Sequence, residues 1–510
     1  MDSQNKNNKR IAKNTLFLYF RQLLTMGVSL YSVRVVLDVL GTEDYGIYNV
    51  VGGMIVLLSF LGSTMASATQ RYLSFELGKE DNDRLKKIFS LSLISYFVIL
   101  CVVVLLAETV GLWFINNKLT IPEDRMFAAN CVYQSTVLSF VITLFCLPYN
   151  AAIIAMERMS VFAYAGIVDS LLKLAIALTL PFLIWSDSLI IYAVLILLST
   201  SLIQLFYYIY CKRKFSFCTF QYNKDFGLLK EMLSYAGWNM IGSISHALRS
   251  QGLNILINMF FCPVVNAARG VAYQVNSAIH SFTNNFYTAV RPQLVKLYSS
   301  NQKEKMVNLG YSSSKFAYYL LLFISIPLFC ETSSILGIWL KDVPEFTVLF
   351  LRITIVASLI EVFSMPLVGM LQAAGKIKLY QSVVSVINLL NVPVSYIFLS
   401  QGYGAEYTMY INVSLLLISM IPRLIICKRI ININLSKYLK NVILSVLLPT
   451  IPLVLWILYY PYEYFEDKHI FLRLLMHVSM AGLFIGLLGL TRNEKRTVVK
   501  IIKKRYARNL

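Results

Sequence analysis

Residues 239–291 read NMIGSISHALRSQGLNILINMFFCPVVNAARGVAYQVNSAIHSFTNNFYTAVR. An ordinary membrane anchor is not built this way. The spacing predicts two helices broken near Cys262-Pro263, each carrying a polar stripe inside an otherwise apolar run. In the second helix Asn266, Arg269, Tyr273, Asn276, Ser277, His280 and Asn284 share roughly a third of the circumference at about 100° per residue. In the first, Asn239, Ser243, His246, Ser250 and Asn254 do the same, with Arg249 to one side. Lipid would penalise such faces, so they must look onto protein or water inside the membrane. They read as the wall of a cationic, hydrated cavity that the rest of the chain frames and moves.

The surroundings of this stretch are strongly apolar. The 510 residues are 57% hydrophobic and 14% charged, with mean hydropathy +0.64, whereas soluble domains carry about a quarter charged residues. Apolar runs of about 20 residues recur along the chain and predict a polytopic membrane protein. Fourteen spans are expected, centred near residues 25, 58, 100, 138, 171, 199, 244, 277, 323, 357, 389, 415, 450 and 480. The basic start MDSQNKNNKRIAK precedes an uncleaved first span, not a signal peptide.

Charge supports this topology. With the N-terminus cytoplasmic, 35 of the 46 Lys and Arg residues fall in cytoplasmic segments and 5 in outer loops. The other 6 lie within spans: Arg21, Arg34, Lys173, Arg249, Arg269 and Arg352. So steep an asymmetry is what the positive-inside rule demands, and it puts both termini in the cytoplasm. Trp113, Trp185, Trp339 and Trp456 sit near expected outer ends, as an aromatic belt would. The net charge of +20 is therefore mainly topology and attraction to anionic membrane lipid, not a nucleic-acid footprint.

The chain also repeats itself. PYNAAIIAMERMSVFAYAGIVDSLLKL (148–174) resembles PLVGMLQAAGKIKLYQSVVSVINLL (366–390) at an offset of 218, which matches Pro148 to Pro366 and Arg158 to Lys376. YGIYNVVGG around Gly46 resembles RGVAYQVNS around Gly270 at an offset of 224. Six spans then duplicate as six in the same orientation, a transporter signature. The expected architecture is an all-α polytopic membrane protein of about 14 transmembrane helices. Two six-helix lobes in pseudo-twofold repeat (1–215 and 216–430) precede two C-terminal helices and a basic tail (431–510). Pro148 and Pro366 near inner span ends are candidate hinges.

Charged residues in mid-membrane cost roughly 2.5 to 3.5 kcal/mol each on insertion scales and must be offset. Asp169 and Lys173 are four apart on span five and suit a neutralising pair or a proton-linked switch. Arg34 precedes Asp38 by the same spacing and suits a structural pair. Arg352 lies nine residues before Glu361, too far round the helix to face it, so Glu361 is a second coupling candidate. Arg21, Arg249 and Arg269 have no carboxylate three or four residues away. A guanidinium offers phosphate a planar fork, so these three, with Asn276 and His280, are the candidate binding residues for an anionic ligand. A cavity for cationic drugs would carry the opposite sign. Scattered cysteines, four unclustered histidines and the lack of a phosphate-binding Gly-rich loop argue against a metal centre or a self-contained ATPase. The short outer loops argue against an enzyme. No cofactor is expected beyond H⁺ or Na⁺ as a coupling ion.

LDVLGTEDYGIYNVVGGM (37–54), TQRYLSFELGKED (69–81), RPQLVKLYSS (291–300) and the duplicated hairpin resemble the Wzx-type flippases of O-antigen and other polysaccharide repeat units. These belong to the superfamily that also holds the MATE drug exporters and the lipid II flippase. The resemblance covers essentially the whole chain. It implies a cavity lined by spans 1, 2, 7 and 8, with the family's cationic residues falling on Arg21, Arg249 and Arg269. It implies alternating access for an undecaprenyl-pyrophosphate-linked oligosaccharide of lipopolysaccharide or exopolysaccharide biosynthesis, in the bacterial inner membrane. Implied partners are membrane lipids, a polysaccharide polymerase and a chain-length regulator, around a monomeric transporter. A MATE-like multidrug exporter and a non-transporting scaffold of a glycan assembly complex are the alternatives.

Overall fold

The computed structural model of the chain describes residues 2–56, 59–118, 121–182, 187–221, 225–261, 263–340, 343–459, 469–491 and 494–495. All regular structure among them is helical, as the long apolar runs require. The main helices are α1 (Asp2–Val56), α2 (Ser59–Lys79), α3 (Asn82–Leu106), α4 (Met126–Ala155), α5 (Met159–Thr179), α6 (Ser188–Lys214), α7 (Phe226–Phe260) and α8 (Pro263–Ser299). They continue as α9 (Lys303–Cys330), α10 (Thr347–Glu361), α11 (Ser364–Ala374), α12 (Lys378–Ser400), α13 (Tyr407–Ile431), α14 (Ser445–Leu458) and α15 (Ile470–Phe484). Gly41, at φ 74° and ψ 174°, breaks α1 into two helical arms.

Among the described residues, 11 helices are long and apolar enough to cross a membrane, against the fourteen expected. The expected centre near 58 adjoins residues 57–58, which lie outside the described set. The centres near 244 and 277 fall in α7 and α8, of 35 and 37 residues. Those helices have the length, but their polar stripes lower their hydropathy. The predicted break at 262–263 separates them, although Cys262 itself lies outside the described residues.

The internal repeat is visible in the helix boundaries. Adding 218 carries Met159 and Ser188, the starts of α5 and α6, to 377 and 406, one residue before the starts of α12 and α13. The turn between the paired helices is left-handed in both copies, at Glu157 (φ 59°) and Gly375 (φ 73°). Pro148 and Pro366 share a register but not a setting. Pro148 is buried inside the continuous α4, whereas Pro366 sits in the first turn of α11, just after a break at Val362–Phe363. A proline there has no amide to complete the preceding turn, which suits a helix start.

The chain sorts into two compact units, Met1–Ser243 with Thr288–Gln302 and Ile244–Tyr287 with Lys303–Leu510. The divisions at Ser243/Ile244 and Tyr287/Thr288 fall within α7 and α8, so these two helices contribute to both units.

In the first unit a core of Val36, Val51, Ile115, Val132, Tyr133 and Leu189 is closed to solvent. Arg125 ties that end together. Its Nε donates to Asp44 Oδ1 at 2.8 Å and its Nη1 to Asp187 Oδ2 at 2.5 Å. Asp187 also caps α6 by accepting from the Leu189 amide at 2.9 Å. Burial would raise the Asp187 carboxyl, but the Arg125 guanidinium and the amide outweigh it and hold it below the usual range. At the opposite chain ends, α2 meets the last turns of α8. A Cβ on Gly78 would lie 1.9 Å from Ser299 Oγ and 2.8 Å from the Lys296 carbonyl, so only glycine admits this approach. Arg291 Nη2 donates to the Ser67 carbonyl at 3.3 Å. The two stretches TQRYLSFELGKED and RPQLVKLYSS are thus packed on each other.

In the second unit α9 is bonded along its length to the C-terminal helices. Tyr319 Oη lies 2.8 Å from the carbonyls of Ser445 and Gly489. Lys315, buried, pairs with Glu494 at 2.6 Å, and fully buried Glu331 meets Arg473 at 3.4 Å. His477 Nδ1 accepts from Trp456 Nε1 at 3.2 Å, leaving Nε2 to face Glu331 at 3.5 Å. Helices α14 and α15 are therefore integral to this unit, not loosely appended.

Candidate functional site

The polar stripes of α7 and α8 supply most of the site in the second unit, and the hydrogen bonds separate their members into distinct jobs. Arg269 is 3% exposed. Its Nη1 donates to Asn254 Oδ1, its Nη2 lies 3.4 Å from the Ser250 carbonyl, and its plane covers the Tyr273 ring at 4.5 Å. Its Nε is enclosed without a partner, as is Asn266 Oδ1. Each NH₂ group of this guanidinium thus commits one N–H to the α7–α8 pair, through a neutral oxygen. Asn276 and His280 reach α10 instead. Ser358 Oγ lies 2.6 Å from Asn276 Oδ1 and 3.0 Å from His280 Nε2. Glu361, at the end of α10, acts electrostatically on both His246 and His280. The seven-residue stripe of α8 therefore divides. Arg269, Asn276 and His280 are engaged within the unit, while Ser277 and Asn284 are exposed.

Arg249 is held differently. Its Nη1 donates to Asn412 Oδ1 at 3.2 Å and to Asn388 Oδ1 at 3.4 Å, on α13 and α12. Among the described residues neither Arg249 nor Arg269 makes an ion pair. The asparagines were not singled out from sequence. Their signal was present: Ser385, Asn388, Asn391 and Ser395, spaced three, three and four apart, form a helical stripe in an apolar span.

In the first unit Arg21 stacks on the Phe162 ring at 4.6 Å and fills the space over Gly166, where a Cβ would meet its Cδ at 2.7 Å. Tyr207 is within electrostatic reach of both Arg21 and Asp169. Lys173 and Asp169 form the expected pair at 2.8 Å. Arg34 and Asp38 are both exposed, and no ion pair joins them among the described residues. Arg352 turns its Nε to the Phe329 carbonyl at 3.2 Å, away from Glu361.

Glu157 was missed by sequence reasoning. Its side chain is 1% exposed and pairs with Lys296 at 2.6 Å, with Gln293 Nε2 as a second donor, while its carbonyl accepts from Asn14 Nδ2 at 3.2 Å. The signal was the mismatch with Gly375 at the repeat offset.

The family model described as polysaccharide biosynthesis protein matches residues 11–298, more than half of the chain. The protein belongs to this family. A second model, MatE, matches residues 240–397 of this polysaccharide biosynthesis protein. No curated protein sequence matches it. Its fold is that of MATE transporters. A MATE in complex with MaD3S aligns with TM-score 0.70 and 15% identity, covering 83% of this chain and 97% of that one. A multidrug resistance MATE family transporter of the MOP superfamily, in an outward-facing conformation, gives 0.70 at 16% identity, covering 83% and 96%. A MOP superfamily transporter from Pyrococcus furiosus, described as having a binding pocket of reverse polarity, gives 0.69 at 15% identity, covering 84% and 96%.

Proposed function

We propose that this protein is a flippase for a lipid-linked glycan. It carries an undecaprenyl-pyrophosphate-linked oligosaccharide, an O-antigen or capsular or exopolysaccharide repeat unit, from the inner to the outer leaflet of the bacterial cytoplasmic membrane by alternating access. The observation that carries the reading is the burial of Arg249 and Arg269 with only neutral oxygens and an aromatic face as partners among the described residues. A membrane protein that retains such charge without internal carboxylates gains most from a ligand that brings its own. Membership of a polysaccharide biosynthesis family agrees with a glycan cargo. The Pyrococcus furiosus neighbour, whose reverse pocket polarity is described as suggesting a different function, shows that pocket polarity varies within this fold. In this reading Arg249 and Arg269, with Asn276 and His280, are the cargo-binding residues of the second unit, and Arg21 is the candidate in the first. Asp169, Lys173 and Glu361 are the coupling candidates for H⁺ or Na⁺, Pro148 and Pro366 flex, and a polymerase and chain-length regulator receive the product.

The test is Arg249→Ala with Arg269→Ala in a host whose surface glycan depends on this gene. Loss of surface glycan is expected while the variant remains monodisperse and membrane-inserted. Normal glycan in that variant overturns the reading. The MatE match favours a small-molecule exporter as the second reading. That function predicts drug sensitivity in the deletion strain and unchanged surface glycan.

A further inference from the structure

In the second unit, α7, α12 and α13 are joined by a seam of polar groups inside apolar helices. One turn before Arg249, Ser245 Oγ donates to Ser385 Oγ at 3.1 Å. On its other side Gly252 lets α7 approach α12 so closely that a Cβ there would meet Val392 at 2.7 Å. Between these contacts Arg249, 9% exposed, donates through Nη1 to Asn412 and Asn388. Asn412 Oδ1 also accepts from Asn391 Nδ2 at 3.2 Å, and Asn391 Oδ1 accepts from Ser395 Oγ at 3.2 Å.

A count of donors and acceptors decides what this seam can receive. A guanidinium only donates, so both amides must turn their oxygens towards it. Asn412 Oδ1, with two bonds, is then spent, Asn388 Oδ1 holds one bond and faces the guanidinium, and the other polar end of each amide is its NH₂. Arg249 Nε and Nη2 donate to no group among the described residues, and neither is enclosed. What these three side chains leave uncommitted is therefore mostly donor, centred on one positive charge. An edge offering two parallel N–H bonds matches the two oxygens of a carboxylate or a phosphate. Arg269 is less available, because each of its NH₂ groups already bonds to α7 and its Nε is enclosed.

We propose that Arg249, Asn388 and Asn412 form a donor-rich oxyanion site, and that Arg249 rather than Arg269 is the cation presented to cargo in this unit. Asn391 is a positioning residue that fixes the Asn412 amide. The inference rests on the anionic-cargo reading above and narrows it to one site. The oxyanion is either the pyrophosphate linker or an acidic sugar of the glycan, and the two are separable by experiment.

The experiment uses the purified full-length protein in detergent, titrated with inorganic pyrophosphate, inorganic phosphate, glucuronate or glucose and followed by calorimetry and thermal shift. Saturable binding of the oxyanions and none of glucose is expected. Asn412→Asp keeps the shape but gives Arg249 an internal carboxylate, so binding should weaken at least about tenfold. Asn388→Asp is the parallel variant should the first fail to fold. Asn130→Asp, on α4 in the first unit, should leave oxyanion binding unchanged. Tighter pyrophosphate than glucuronate assigns the site to the linker, and the reverse assigns it to an acidic sugar. Absence of oxyanion binding, or equal binding by Asn412→Asp and Asn388→Asp, overturns the proposal. The flippase reading fails separately, when the Arg249/Arg269 double variant still exports glycan. If it exports none while Asn412→Asp binds normally, only the oxyanion site is lost.

Discussion

Glu157 holds a left-handed backbone conformation that costs about 1 kcal/mol or more for any side chain larger than glycine's. The second copy of the same turn uses Gly375 and avoids that cost. The carboxylate is what the first copy retains, because it is buried against Lys296 and Gln293. Glu157→Ala loses the pairing and keeps the strain, whereas Glu157→Gly loses the pairing and relieves it. Thermal unfolding in detergent should therefore rank wild type above Glu157→Gly above Glu157→Ala, with about 1 kcal/mol between the two variants. An inverted order would show that the turn is not strained. Gly78 makes a complementary prediction. Gly78→Ala places a methyl inside contact distance of the Lys296 backbone and should destabilise by about 1 to 3 kcal/mol, unlike an alanine at Gly46, around which nothing lies within 4 Å. The sequence made neither residue stand out by type. Their importance comes from what packs against them, which no local pattern encodes.

Among the helices, legibility tracks how strongly one period dominates. The apolar runs of α3 to α6 and α9 to α13 declare themselves, and the duplicated hairpin places its turns to within a residue. The stripes of α7 and α8 were readable as polar faces, but not as to their use. Spacing shows that Arg269, Asn276 and His280 share a side of α8. It does not show that the first is spent on Asn254 and Ser250 while the other two hold Ser358. Cross-helix partners lie about 78 residues away in the chain, beyond any periodicity argument. The same limit hid the fastening of α14 and α15, which rests on Tyr319, Lys315 and Glu331 of α9 and its end. Glu494 belongs to this fastening. Burial would raise its carboxyl, but Lys315 and the Thr491 amide outweigh burial and hold it below the usual range. A depressed folded-state value contributes stability above the ordinary glutamate range, about 4.3, and loses it as pH falls through the folded value. The midpoint of thermal unfolding should thus be flat from pH 7 to about 5 and fall in stronger acid. Glu494→Gln should lower the neutral-pH plateau by about 1 kcal/mol and shrink the acid-dependent loss. A variant with the wild-type profile would remove Glu494 from the account.

At the scale of the molecule, α8 is one helix with two allegiances. Its residues to Tyr287 are grouped with the second unit, and those from Thr288 with the first. Pro292 lies inside it, four residues past the change. A proline cannot donate to the carbonyl four residues earlier, so the rung to Thr288 is missing where the grouping changes. A helix lacking one rung bends there more readily than elsewhere while still transmitting twist and thrust along its axis. Machinists call such a part a flexure: a thinned place in a solid bar that permits rotation in one direction without play. On that principle Pro292→Ala would restore the rung, raise the unfolding temperature or leave it unchanged, and, on the flippase reading, slow glycan export. A variant that exports at the normal rate would place the yielding point elsewhere. A flexure keeps its axis continuous while it yields, so α8 needs no slack linker in order to bend.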